Sequence, residues 1–501
     1  MPEHAPLPSS SAPPSPPVLT LREFGFTYRG SDDPALTGVD LMLHPGEAVA
    51  VLGPQGAGTS TLARAVARLL GEHGESTGSR EATDDGIGML GDDPEAQVTG
   101  LSRTVREEAA LPGRLIGLPL QDCLARAAVS LETLGITALA ERELSTLSGG
   151  ERQLTALASL LTLHPRVLVL DQASQSLDHS ARRRLARSLR QFRATGGAVL
   201  LTGHQHDELS VECDRVLFLD EKRLSAGGLM PSSVTPVQLA AHGIWDARHE
   251  VHTPLNTPVH LPNSARGPGH EVLLRVRDLS VHRASVQVLD GVELDLRAGE
   301  VTALLGANGS GKSTLLGSLA GLVPSGAGAS ILGPGGVELA AEPAHRRANH
   351  IAWVGQDPGD QLSASTVHAE LMRAAPLGPG GRRLKRADRL QAKKQRELDV
   401  QRVMEMAGLT AHAEDHPYDL QPAQRKDCVI ASALLMNPAV LLLDEPTLGR
   451  DAAGMARLSH LLRSFTSAGG AVLVATHDRR WAAEVGDHQL RLVADHLLPD
   501  T

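Results

Sequence analysis

Cysteine is scarce in this chain of 501 residues: Cys123, Cys213 and Cys428 are the only three. They stand far apart with no C-x-x-C spacing, which excludes a disulfide framework or a cysteine-based zinc site and fits a reducing compartment. Positive charge is not in excess, since 48 basic residues face 58 acidic ones for a net charge of −10. Nothing in that balance points to nucleic acid. No apolar run reaches the roughly 18 residues needed to cross a bilayer, so work at a membrane would leave the spanning to other subunits. The N-terminal "MPEHAPLPSSSAPPSPP" lacks both the basic start and the apolar centre of a signal peptide. Its Pro/Ser content predicts a disordered tail over 1–17.

The length exceeds what one core supports, and an internal repeat supplies the division. "GVDLMLHPGEAVAVLGPQGAGTSTL" (38–62) matches "GVELDLRAGEVTALLGANGSGKSTL" (291–315), with Gly38 falling on Gly291. "VLVLDQ" (167–172) matches "VLLLDE" (440–445), and "LLTGHQ" (200–205) matches "LVATHD" (473–478). A long offset that is constant within each half of the match marks a duplicated domain rather than a solenoid. The expected layout is a first domain over 18–225, a linker over 226–270 with room for one short helix, and a second domain over 271–498. Short apolar runs such as "AVAVLG" and "VLLL" read as buried parallel strands, and alternating ones such as "VELDL" as half-exposed strands. Each copy therefore reads as an α/β domain with a strand–loop–helix phosphate site.

The remaining lack is a single lysine. The second loop, Gly306 to Thr314, meets the phosphate-loop pattern G-x-x-x-x-G-K-[ST] in full, with Asn308, Gly309, Ser310, Gly311, Lys312, Ser313 and Thr314. Its backbone N–H groups would wrap the β-phosphate, Lys312 would reach the β/γ-phosphates, and Ser313 would bind Mg²⁺. The strand "VLLLDEP" ends in Asp444, placed to support Mg²⁺ through water, and Glu445, placed to deprotonate an attacking water. The first loop keeps Gly53, Gly56, Gly58, Ser60 and Thr61 but has Thr59 where the lysine belongs.

"LSGGERQ" (147–153) resembles the signature of ABC-type ATPases, and the P-loops, the two "D(E/Q)" strands and the late histidines His204 and His477 extend that resemblance over both domains. "QDPGDQLSASTVHAE" (356–370) resembles the stretch after the glutamine loop in importer ATPases of the energy-coupling factor type; "DDPEAQVTGLSRTVREE" (92–108) follows it in outline. The resemblance implies two P-loop NTPase domains, each with a parallel-sheet core, an antiparallel β subdomain and a helical signature subdomain. It implies ATP and Mg²⁺ bound between the two domains as an internal pseudo-dimer, each P-loop facing the other domain's signature. Gln356 would join the Mg²⁺ shell and sense the γ-phosphate, His477 would contact that phosphate, and Tyr28 would stack on adenine in the first half. His282 or Arg283 takes the stacking region of the second. Partners would be integral membrane subunits, a scaffold and a substrate-binding component, with this chain peripheral on the cytoplasmic face. No nucleic-acid partner is expected. A ribosome-acting ABC protein and a sugar-type tandem importer ATPase are the alternatives.

The departures from the pattern have a physical reading. Thr59 removes a positive charge from the phosphates, Asp92 replaces the sensor glutamine with a negative charge, and Gln172 replaces the glutamate with an amide that cannot take a proton. Asp171 and Ser60 could still hold Mg²⁺. In the second signature, "LQPAQRK" (420–426), Gln421 stands for serine and Pro422 and Ala423 for the glycines, so one N–H donor is lost and the close approach restricted. If each P-loop used its own signature, both sites would contain a broken part. Pairing across the domains gathers every defect into one site and leaves Lys312, Ser313, Gln356, Asp444, Glu445 and His477 facing Ser148, Gly149 and Gly150.

Three weaker signals have plainer readings. The run 382–396 carries eight basic residues and one acid, which reads as a solvated helical face, with contact to anionic lipid or an acidic coupling element as the sharper alternative. The 22 histidines are dispersed without ligand spacing, so no metal reading beyond Mg²⁺ is drawn. "SGAGAS" (325–330) reads as a loop.

Overall fold

The computed structural model describes residues 16–83, 86–92, 97–175, 177–248, 271–283, 286–326, 328–376, 386–493 and 495–499, without the side chains of 386–389. Positions 1–15 of the expected tail, 249–270 of the expected linker and 382–385 of the basic run lie outside the described residues. The rest of that run is helical, within Arg386–Met406.

Two compact units divide the chain, Met1–Ile244 and Trp245–Thr501. Part of the span expected as linker is thus folded chain: the helix Pro236–Ala241 is capped by Thr235, and Val234, Leu239 and Ile244 are buried in the first unit's core. These three apolar residues are five apart, a spacing that matches neither helix nor strand period, so the sequence pattern did not show them.

In the first unit the central sheet runs in the order Arg223–Leu224, Arg215–Asp220, Ala48–Leu52, Ala198–Gly203, Val167–Asp171, Ile87–Leu90. All its pairs are parallel except the edge hairpin Arg215–Asp220/Arg223–Leu224. A separate antiparallel sheet orders Leu36–Leu43, Leu19–Tyr28 and Gly74–Ala82. The second unit repeats the plan. Its central sheet runs Ile351–Val354, Val440–Asp444, Ala471–Ala475, Val301–Leu305, His488–Val493, His496–Pro499, and its antiparallel sheet Val286–Arg297, Val272–Arg283, Ser330–Leu332.

The apolar runs make these strands because each central sheet is covered on both faces. Ala48, Ala50 and Leu52 point into a core shared with the helices Val105–Leu115, Leu120–Thr133 and Gly149–Leu161. Val49 and Val51, alternating with them, point into a second core under the antiparallel sheet and the P-loop helix. In the second unit Leu441 and Leu443 face the helical side, and Val440 and Leu442 the other. Each fully buried Val or Leu contributes about 1.5–3 kcal/mol, which fixes the register that carries the loops at the strand ends. Among the described residues no helix is long and apolar enough to cross a membrane.

Candidate functional site

In the second unit the P-loop joins the strand Val301–Leu305 to the helix Lys312–Leu319. Gly309 and Gly311 take left-handed backbone (φ 79° and 102°), which bends the loop and turns it into the helix. Lys312 folds back over the loop: its Nζ donates to the carbonyls of Gly306 (2.8 Å) and Ala307 (3.1 Å) and lies 3.8 Å from Glu445 Oε1. A helix N-terminus beside an ammonium is an arrangement whose charge suits an anion.

Two strands away, Val440–Asp444 delivers the acids. Asp444 is buried, and burial raises its pKa, partly offset by a hydrogen bond from Ser313. Its Oδ1 is buried without a hydrogen-bond partner. An unsatisfied carboxylate oxygen beside the P-loop serine suits a hard divalent cation such as Mg²⁺. Glu445 follows with φ 47°, a sparsely populated conformation of the kind that gathers at active sites. Its N–H is held by the Ala475 carbonyl at 2.9 Å. Its Oε2 accepts from His477 Nδ1 at 2.9 Å. Burial works to raise the Glu445 pKa, but His477, Lys312 and Lys426 outweigh it and hold the carboxyl below its ordinary range. Lys312, Ser313, Asp444, Glu445 and His477 therefore converge. Gln356 is exposed, two residues beyond the strand Ile351–Val354 that pairs with Val440–Asp444 and so at the same end of the sheet as the acids.

The first unit builds the same frame with different contents. Gly56 and Gly58 repeat the left-handed turns (φ 80° and 103°), and Thr59 is buried at the helix start where Lys312 stands in the other unit. His204 Nδ1 donates to the Gly53 carbonyl at 2.7 Å, so it takes the carbonyl equivalent to the one held by Lys312. Gln172 keeps the positive φ (54°) and its N–H bonds Thr202 O at 2.8 Å, but its side-chain oxygen is taken by Gln175. Asp171 has its pKa raised by burial, against hydrogen bonds from Thr202 and Ser60, and the charge of Asp92 raises it further. Tyr28 stands edge-on to Phe26 with its hydroxyl 3.2 Å from Thr61 Oγ1. His282 and Arg283, the second half's counterparts, are exposed at the end of Val272–Arg283.

The signatures differ as their sequences imply. Ser148 caps the helix Gly149–Leu161 in a reciprocal box with Glu151, leaving Gly149 and Gly150 as its first residues. In the second unit Pro422 occupies the first position of the helix Pro422–Leu435, where a missing N–H is tolerated. Gln421 N–H is satisfied by Gln424 at 3.2 Å, and Ala423 is buried. The proline is a good helix start and a poor phosphate donor.

Three features escape sequence reasoning. Lys426 is buried beneath the acids, its Nζ on the carbonyls of Asp444 (3.3 Å) and Glu445 (3.0 Å), and burial pushes its pKa down to about 8. Arg450 forms a fully buried ion pair with Asp427 at 2.7 Å. Trp245 donates from its indole N–H to Asp478 at 2.8 Å, next to His477. The signal for the first two was available: the first copy has Gln153, Leu154 and Leu177 where the second has Lys426, Asp427 and Arg450.

The ABC transporter family model matches residues 36–175 and 289–448. A Streptomyces avermitilis protein named "Putative ABC transporter ATP-binding protein" is 31% identical, over 96% of this chain and 93% of its own length. A Bifidobacterium longum protein of the same description is 30% identical, over 94% of this chain and 64% of its own length. A Bacillus subtilis protein named "Putative HMP/thiamine import ATP-binding protein YkoD" is 28% identical, over 95% of this chain and 90% of its own length. The solved structure titled "RNase-L Inhibitor" superposes with a TM-score of 0.60 at 18% identity, over 95% of this chain and 90% of that one, a likeness of fold.

Proposed function

This chain belongs to the ABC transporter family, with two ATP-binding domains in tandem, and on that premise we propose that it is the ATP-hydrolysing subunit of a membrane importer of the energy-coupling factor type. It works through one composite site, the second P-loop facing the first domain's signature. The observation that carries the reading is the asymmetry of the two frames. Lys312, Glu445 and His477 meet in one unit, whereas Thr59, Gln172 and a His204 bound to the P-loop backbone fill the other.

In the working site the P-loop N–H groups and Lys312 hold the ATP phosphates; Ser313, Asp444 and Gln356 would hold Mg²⁺, which would supply charge neutralisation to the phosphates. Glu445 takes the proton of the attacking water, and His477 keeps its carboxylate aimed. Ser148, Gly149 and Gly150 close over the γ-phosphate from the first domain. The water oxygen bonds the γ-phosphorus as its bond to the β–γ bridging oxygen breaks; ADP and phosphate leave, and Glu445 passes its proton to the departing phosphate or solvent.

The importer reading is supported by the "Q-D-P-G-D-Q" and "T-V-H-A-E" stretch at 356–370 and by the thiamine-import name of the Bacillus subtilis relative. A ribosome-acting role rests on fold alone, at 18% identity. Fractionation after co-expression with the membrane subunits of such an importer tests it: recruitment to membranes supports the importer, and co-sedimentation with ribosomes instead overturns it.

A further inference from the structure

The second signature helix begins with a proline and an alanine in place of phosphate-binding glycines, yet its buried side is more elaborate than that of the first. Three successive carbonyls from the last residue of the acidic strand onward are each held by a buried cation: Asp444 and Glu445 by Lys426 Nζ, and Pro446 by Arg450 Nε at 2.6 Å. Arg450 is in turn paired with Asp427, the next residue along the signature helix. The charged members of this cluster are all buried, with Lys426 4%, Asp427 1% and Arg450 0% exposed beside Asp444 and Glu445 at 2% and 6%.

The described residues of the first half show no such cluster. Gln153 there donates to the Ala173 carbonyl at 2.9 Å, the counterpart of Pro446. Leu154 and Leu177 stand where the second half has Asp427 and Arg450, and both are buried in the core. Three matched changes at one locus, two of them charge-complementary, are a construction rather than a decay.

We propose that Lys426, backed by the Asp427–Arg450 pair, is a positioning residue for Glu445, so that the altered signature helix braces the catalytic carboxylate of its own unit. Glu445 sits in a backbone conformation that persists only where its surroundings over-determine it. The Ala475 carbonyl fixes its N–H, and Lys426 fixes the carbonyls on both sides of its N–Cα–C segment. Gln172, at a similar φ in the idle half, has a glutamine in place of that lysine and turns its side chain to Gln175. The inference rests on Glu445 being the base.

The test is ATP hydrolysis by the full-length chain carrying Lys426→Gln, which installs the first half's residue. Tryptophan emission serves as the folding check. A displaced base should lower kcat by about 10–10²-fold, the scale that a misplacement of up to an ångström costs, with KM for ATP unchanged. In a Glu445→Gln background the same substitution should cause no further loss of single-turnover rate, because the brace acts through that carboxylate. Full kcat in a folded Lys426→Gln protein, a rise in KM that accounts for the loss, or equal losses in both backgrounds would overturn it. Should Lys426→Gln not fold, the triple change with Asp427→Leu and Arg450→Leu imports the first half's packing. A folded triple variant as fast as the parent overturns the proposal, and a slow one supports it. If Glu445→Gln itself turns over, the base assignment fails; if only Lys426→Gln does, the brace alone fails.

Discussion

His204 Nδ1 lies 2.7 Å from the Gly53 carbonyl, and Lys312 Nζ lies 2.8 Å from the Gly306 carbonyl, the same atom of the other P-loop. A histidine just past the end of the neighbouring strand Ala198–Gly203 has replaced the bond that the missing lysine would make. The first P-loop keeps its shape without its cation. His204→Ala should therefore leave ATP turnover unchanged while loosening the first unit, at about 1–3 kcal/mol for the buried acceptor left unpaired. His477→Ala should cut kcat by about 10²-fold or more, the range for disturbing a general base. Parallel kinetics and denaturation of the two variants check the asymmetry.

Restoring the lysine tests the idle loop directly. Thr59→Lys puts a cation back at the helix start, where Thr59 is only 2% exposed, and should raise nucleotide stoichiometry from one to two per chain. Steady-state hydrolysis should not rise, since Gln172 still cannot accept a proton. Equilibrium binding of a fluorescent ATP analogue reads the first and a phosphate-release assay the second.

The Asp427–Arg450 pair is fully buried. Arg450→Leu alone strands a buried carboxylate and should cost about 3–5 kcal/mol, whereas Asp427→Leu with Arg450→Leu should be near neutral. All three tryptophans, Trp245, Trp353 and Trp481, lie in the second unit, so their emission in urea reports this unit selectively.

A clasp beside His477 carries a pH dependence. Asp246 is paired with Arg248 at 2.8 Å and Arg480 at 3.2 Å, and Arg480 also lies over the Trp245 ring. Burial works to raise the Asp246 pKa, but the hydrogen bond and charge of Arg248, then Arg480, outweigh it and lower it. A lowered folded-state pKa gives stability that is present above the unfolded value, about 3.9, and lost as pH falls through the folded one. Asp246→Asn should destabilise the second unit at neutral pH, and its deficit against the parent should shrink only in acid below the ordinary carboxylate range. Urea midpoints across that range check the sign.

The P-loops, the acidic strands and the duplication were legible because glycine turns and doubly buried strands leave short, contiguous marks. The two central sheets, in matching strand order, bear out the duplicated α/β plan. Lys426 and Arg450 showed only as differences between the two copies, because a charged residue in a helix or loop reads as solvated unless its partner is known, and Asp427 and Arg450 are far apart in sequence. His204 and Gly53 met only once the sheet brought their strands side by side. Residues 234–244 looked like linker because their apolar side chains follow no regular period.

The most direct measurement is steady-state ATP hydrolysis by the full-length Glu445→Gln and Gln172→Glu chains beside the parent. With one working site, Glu445→Gln should lose activity by about 10²–10⁴-fold, as removal of a general base does, and Gln172→Glu should match the parent. Substantial turnover remaining in Glu445→Gln would contradict the account.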